Sequence, residues 1–248
     1  AADFFRRHYR PDNAVISIVG DVSPRDAFKR VERALGWIPS SVGPTREPAP
    51  ELAPLTGVPM ASVDDPVPAA ASYLAWRLPA RDTPGFDACD LALSILGAGQ
   101  TARLHQRIVR ERGLAAAVGA QALGLIGGNS LGLAHVRALP GKGADEATEA
   151  TLAEIDRMAD SGPTAEELGR AKAQYAREWL TELARFDSRA DAISAYATLH
   201  SDPTRINRRL AEVEAVDAAA VQEAASTYLR SGSRAQLDYT DGMSDAKA

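Results

Sequence analysis

The chain has 248 residues, 45% of them hydrophobic and 25% charged, and a formal net charge of −5. A chain of this length buries roughly 70–75% of its unfolded surface, enough for one large or two small domains. The acidic balance argues against a nucleic-acid footprint, the single cysteine Cys89 excludes an intrachain disulfide, and no stretch reaches the ~20 apolar residues of a membrane span.

The chain opens directly in an amphipathic helix, Ala1–Tyr9, with Phe4 and Phe5 on one side. No signal peptide precedes it, as if the chain were cut from a longer protein. Arg10-Pro11-Asp12-Asn13 is a turn signal. Ala14–Val19 reads as a strand buried on both faces. Ser23 followed by Pro24 starts a helix, with Phe28, Val31 and Leu35 on one side and Gly36 as its stop. Residues 41–56 are proline-rich and read as an extended linker.

A second unit begins near Gly57. Val58–Val63 and Ser72–Leu78 read as strands, Pro84–Leu96 and Thr101–Arg112 as helices. Leu114–Leu123 and Ser130–Leu139 read as strands, joined by the glycine-rich Gly124–Gly128. The Gly127-Gly128 pair is a hairpin turn rather than a phosphate cradle. Asp145–Ser161 is helical, and Thr164 caps another helix with Glu166 and Glu167 in its first turn. Helices over Arg189–His200, Pro203–Val213 and Asp217–Leu229 follow, then a last strand, Ala235–Tyr239, and a tail from 241 to 248. Strands, helices, strands, many helices and a strand predict an α+β fold: an antiparallel-rich sheet with helices packed on one face.

Ser94–Val118 is the stretch that organises the rest. Gly97 and Gly99 are expected to stop one helix by entering left-handed conformations, and Thr101 to cap the next. Gly113 ends that second helix. Ile95-Leu96-Gly97, Gly99, Arg103-Leu104, Val109-Arg110-Glu111 and Gly113-Leu114-Ala115 resemble a segment of the M16 zinc metallopeptidases, the family of pitrilysin, insulinase and the mitochondrial processing peptidase. A second match, FFRRHYRPDNAVISIVGDV followed by a helix and Gly36-Trp37-Ile38-Pro39, resembles the end of an M16 domain. The resemblance implies an M16-type α/β roll. Residues 1–40 would then be the terminal βα part of a preceding domain, and residues 57–240 a complete C-terminal-type domain.

Hydrolysis in that family needs zinc held by H-x-x-E-H, in which two histidines one helical turn apart face the same way. His8, His105, His135 and His200 have no second histidine within five residues, so no metal ligand is expected here, and no catalytic residue. No P-loop occurs. Cys89 lies in an apolar helical pattern and reads as structural. The resemblance carries over one site. Relatives hold an Arg and a Tyr in R-E-x-G-L-A-Y that grip the substrate backbone. Arg110 matches the Arg, whereas the Tyr position is Ala116. The family implies a non-catalytic wall of a peptide-binding chamber, with peptide as substrate and a zinc-bearing half, in the same gene or in a separate subunit, as dimer partner. A periplasmic location would suit such a protein. The alternative is a purely structural M16 relative without proteolysis, which Ala116 favours.

Overall fold

The computed structural model describes residues 2–39, 43, 52, 55, 57–81 and 83–241. Most of the expected linker 41–56 and the tail beyond 241 lie outside the described residues. The chain divides into two compact units, residues 1–48 with 175–211, and residues 49–174 with 212–248.

The second unit holds a five-stranded sheet: β1 (Met60–Asp65), β2 (Ala71–Leu78), β3 (Ala115–Leu123), β4 (Ser130–Ala138) and β5 (Ala235–Asp241), in the order β1-β5-β2-β4-β3. The pairs β2–β4, β2–β5 and β3–β4 are antiparallel and β1–β5 is parallel, so the last strand inserts between the first two. This is the α+β architecture expected from the order of elements. Alternation decides the faces. Ser72, Leu74, Trp76 and Leu78 of β2 are buried, as are Ala134, Val136 and Ala138 of β4. They meet α3 (Pro84–Gly97), α4 (Asp145–Ser161) and α8 (Ala218–Tyr228). Leu93, Leu229 and Leu78 converge on Gly132, where an added Cβ would lie 3.2–3.4 Å from all three. The Trp76 Nε1–H donates to the Arg230 carbonyl at 3.0 Å, so the largest buried side chain keeps its polar atom satisfied.

Thr164 and Glu167 form the expected capping box at the start of α5 (Ala165–Ala184). The Glu167 N–H donates to Thr164 Oγ1 at 3.2 Å, and the Thr164 N–H to Glu167 Oε2 at 2.8 Å. The expected helix Pro203–Val213 instead breaks into a 3-10 turn, Pro203–Asn207, and α7 (Arg209–Glu214). Asp202 accepts from the Thr204 N–H at 3.0 Å and starts the tight turn.

The first unit contains α1 (Ala2–His8), α2 (Pro24–Leu35), the second half of α5 and α6 (Phe186–Leu199). Ser23 caps α2, accepting from the Asp26 N–H at 3.1 Å, as its sequence predicts. The strand expected at Ala14–Val19 does not form: the segment has no ladder partner, and a strand without neighbours has nothing to bond to. Ser17 and Ser194 join their hydroxyls at 2.8 Å. Trp179 and Tyr196 meet edge to face at 6.3 Å, and the Arg209 guanidinium lies over the Tyr175 ring while its Nε–H donates to the Tyr175 hydroxyl at 2.8 Å. Neither α1 nor α2 has a buried residue.

Candidate functional site

The motif stretch between α3 and β3 builds the candidate site, and its glycines do different work. Gly97 is still helical. A Cβ there would sit 1.9 Å from the Ala120 backbone nitrogen, so this glycine lets α3 press against β3. The expectation of a left-handed stop at Gly97 is therefore corrected to a close approach. Gly99, with φ 81°, and Gly113, with φ 59°, do take left-handed conformations.

Between them, residues His105–Glu111 wind as a π-helix rather than the expected α-helix, and no side chain caps it, Thr101 included. Such wide turns are short and recur at functional sites. Several anchors hold this one. Leu104 and Ile108 are fully buried. The Leu114 N–H donates to the Ile108 carbonyl at 2.9 Å and closes the end. Just before it, Arg103 grips Glu167 with two hydrogen bonds, 2.6 Å from Nε and 2.7 Å from Nη2, and Nη2 also reaches the Gly162 carbonyl at 2.9 Å. That fork and the Thr164 cap hold the Glu167 carboxyl well below its ordinary 4.5, at about 2, against the opposing effect of burial. Arg103 belongs to the motif, but its role as a clamp on α5 has no signal in spacing alone.

Within and just after the π segment the cations divide. Arg107 faces Glu154 at 3.3 Å and Arg112 faces Glu146 at 3.4 Å. Arg110 is exposed and has neither ion pair nor hydrogen bond among the described residues. Ala116 is exposed on the irregularity between Ala115 and Ala117, where β3 slips one residue against β4. A bulge re-aims the side chain it carries, and here that side chain is a methyl.

The remaining candidates separate. His8 ends α1, His105 lies in the π segment, His135 is on β4 and His200 follows the last turn of α6. Among the described residues no three of His, Cys, Asp and Glu come together as a metal-binding group. The described residues therefore offer a zinc ion no ligand set. The His135 ring lies over Gly119, 2.6 Å from where a Cβ would stand. Burial, then the Arg137 charge, push its pKa down. Cys89 is fully buried in α3, and burial, with Asp90, pushes its thiol up to about 12, so it is no nucleophile at neutral pH. No described helix is long and apolar enough to cross a membrane.

Comparison with known proteins agrees with this fold. A family model described as the peptidase M16 inactive domain matches residues 1–175. No curated protein matches. A protease from Helicobacter pylori superposes with a TM-score of 0.79 at 18% identity, over 90% of this chain and 53% of that one. A peptidase M16 inactive domain from Pseudomonas fluorescens gives 0.76 at 18%, over 89% and 52%. The periplasmic protease PqqL from Escherichia coli gives 0.68 at 17%, over 89% and 24%. The chain thus spans about half the length of the first two.

Proposed function

The chain belongs to the peptidase M16 inactive-domain family, and from that premise we propose that it is a non-catalytic part of a zinc metallopeptidase. It forms one wall of a peptide chamber, and a separate half, on the same polypeptide or on a partner subunit, carries the zinc. In this reading residues 1–40 complete a preceding domain, and residues 57–240 are the domain that faces the substrate.

The observation that carries the reading is Arg110, unpaired among the described residues between two arginines that each hold a carboxylate. Its guanidinium is free to donate to a substrate carbonyl, a charge-assisted bond worth about 1.5–3 kcal/mol. Arg110→Ala in the complete protease, or in a pair reconstituted with the zinc-bearing half, should slow peptide turnover by roughly 10- to 100-fold. The thermal midpoint should stay where it is, because an exposed arginine contributes little to stability.

Ala116 favours a second reading, a scaffold without proteolysis, since a methyl group cannot donate the bond a phenol would. Unchanged turnover in Arg110→Ala would favour the scaffold. A gain in turnover on Ala116→Tyr would favour the chamber.

A further inference from the structure

The helices α3, α4 and α8 cover one face of the sheet, and on the other face Tyr73, Leu123, His135 and Arg137 are exposed. Its outward positions follow from the ladder. Tyr73 and Leu123 are half exposed, and Leu133 and Leu237 lie among them. Two cations stand on this apolar ground, Arg77 near one end of β2 and Arg137 near the far end of β4. Arg137 lies opposite Ala71, so the two arginines are separated by six positions along the ladder, about 20 Å.

Neither arginine has a partner among the described residues. Arg77 Nη1 is buried with no acceptor, which leaves a strong donor unsatisfied, and Arg137 makes no ion pair or hydrogen bond among the described residues. In the same unit Arg103, Arg157, Arg170 and Arg230 each hold a carboxylate. The outward positions of β2, β4 and β3 carry no Asp or Glu, and Asp65 sits apart on the edge strand β1. An acidic chain that keeps Asp and Glu off these three strands leaves their outward face complementary to carboxylates from outside.

We propose that this outward face takes an extended acidic peptide whose apolar side chains cover the leucines and tyrosines and whose carboxylates meet Arg77 and Arg137. The proposal rests on the reading that the chain presents a wall to peptide, and it names the class of peptide preferred.

The test uses three fluorescein-labelled peptides of one apolar sequence, long enough to span both arginines. They carry Glu, Gln or Lys at two positions six residues apart, and each is titrated with the full chain by fluorescence anisotropy. The Glu peptide should bind at least roughly tenfold more tightly than the Gln peptide, and the Lys peptide more weakly than either. Raising salt from about 50 to about 500 mM should erase most of the difference. Arg77→Gln with Arg137→Gln should abolish the preference while leaving the circular dichroism spectrum unchanged. Equal binding of all three, tighter binding of the Lys peptide, or a preference that survives both substitutions overturns the proposal. So does self-association of the chain by sedimentation that blocks all three peptides, because the occupant would then be a second copy. If Arg110→Ala slows turnover while the peptides bind alike, the acidic preference fails and the chamber reading stands.

Discussion

Two apolar, strand-like runs in this chain meet opposite fates. Ala71–Leu78 is paired on both sides, by β4 and β5, and its inward residues Leu74 and Trp76 are 1% exposed. Ala14–Val19 is just as apolar, yet it has no ladder partner, and Val15, Ile16 and Ile18 are 43%, 54% and 50% exposed. The helix after it, α2, has no buried residue, and Phe28 stands 76% exposed. Apolar sequence makes a segment competent to be a strand. Neighbours make it one. The contrast separates a unit whose core closes on itself from a segment whose apolar side is left without cover.

Hydrogen exchange sharpens this contrast most. The amides of Leu74 and Val136 lie in central ladders over the core and open only on unfolding of the second unit. Those of Val15–Val19 have no ladder to open. The expected difference in exchange rate is on the order of 1000-fold or more in the isolated chain. Equal protection in a monomer would show that the segment is covered after all.

The next largest effect is a substitution at Gly97. Ala at this position would drive a Cβ against the Ala120 backbone, which cannot swing away as a side chain can. Gly97→Ala should cost about 3 kcal/mol or more, read by urea unfolding followed by circular dichroism. A change below about 1 kcal/mol would show that α3 and β3 separate easily.

Arg103 comes third. Arg103→Ala leaves Glu167 half-buried without its fork and should cost about 2–3 kcal/mol. The pH dependence has a definite sign. Glu167 is held at about 2 against an ordinary 4.5, so its folded state binds the proton more weakly than the unfolded state. Its contribution is complete above 4.5 and is lost as pH falls toward about 2. Wild type should therefore lose stability across that window more steeply than Arg103→Ala. Parallel acid curves would assign the clamp no role.

These effects also mark what was legible in the sequence. The strands β2, β3 and β4 and the helix Asp145–Ser161 were legible because one buried face repeats its pattern, and the Thr164–Glu167 box because its spacing is its mechanism. Arg110 and Ala116 could be located by motif, but the π winding beneath Arg110 and the bulge beneath Ala116 arise from tertiary anchors, Ile108 in the core and the slip against β4. Gly97 was misread because a glycine needed for a backbone contact and one needed for a positive φ look alike in sequence. The two arginines on the outward sheet face, without a partner among the described residues, become visible only when all five strands are in register.

The smallest effect belongs to Phe28, and its size is the point. In the isolated chain Phe28→Ser removes a ring that is already 76% in water, so the unfolding free energy should move by no more than about 0.5 kcal/mol. In a protein that carries the preceding domain, the reading of residues 1–40 as its terminal piece puts the same ring in a core. Ile16, Ile18, Val22 and Val31 border the groove of about 290 Å³ beside it. There the substitution should cost about 2 kcal/mol or more, by loss of apolar burial and the gain of an unpaired hydroxyl. Measuring both costs by urea unfolding turns the comparison of the two strand-like runs into one number, the difference that a neighbouring sheet makes. Equal, small costs in the two contexts would show that α2 stays bare and that residues 1–40 are not the end of another domain.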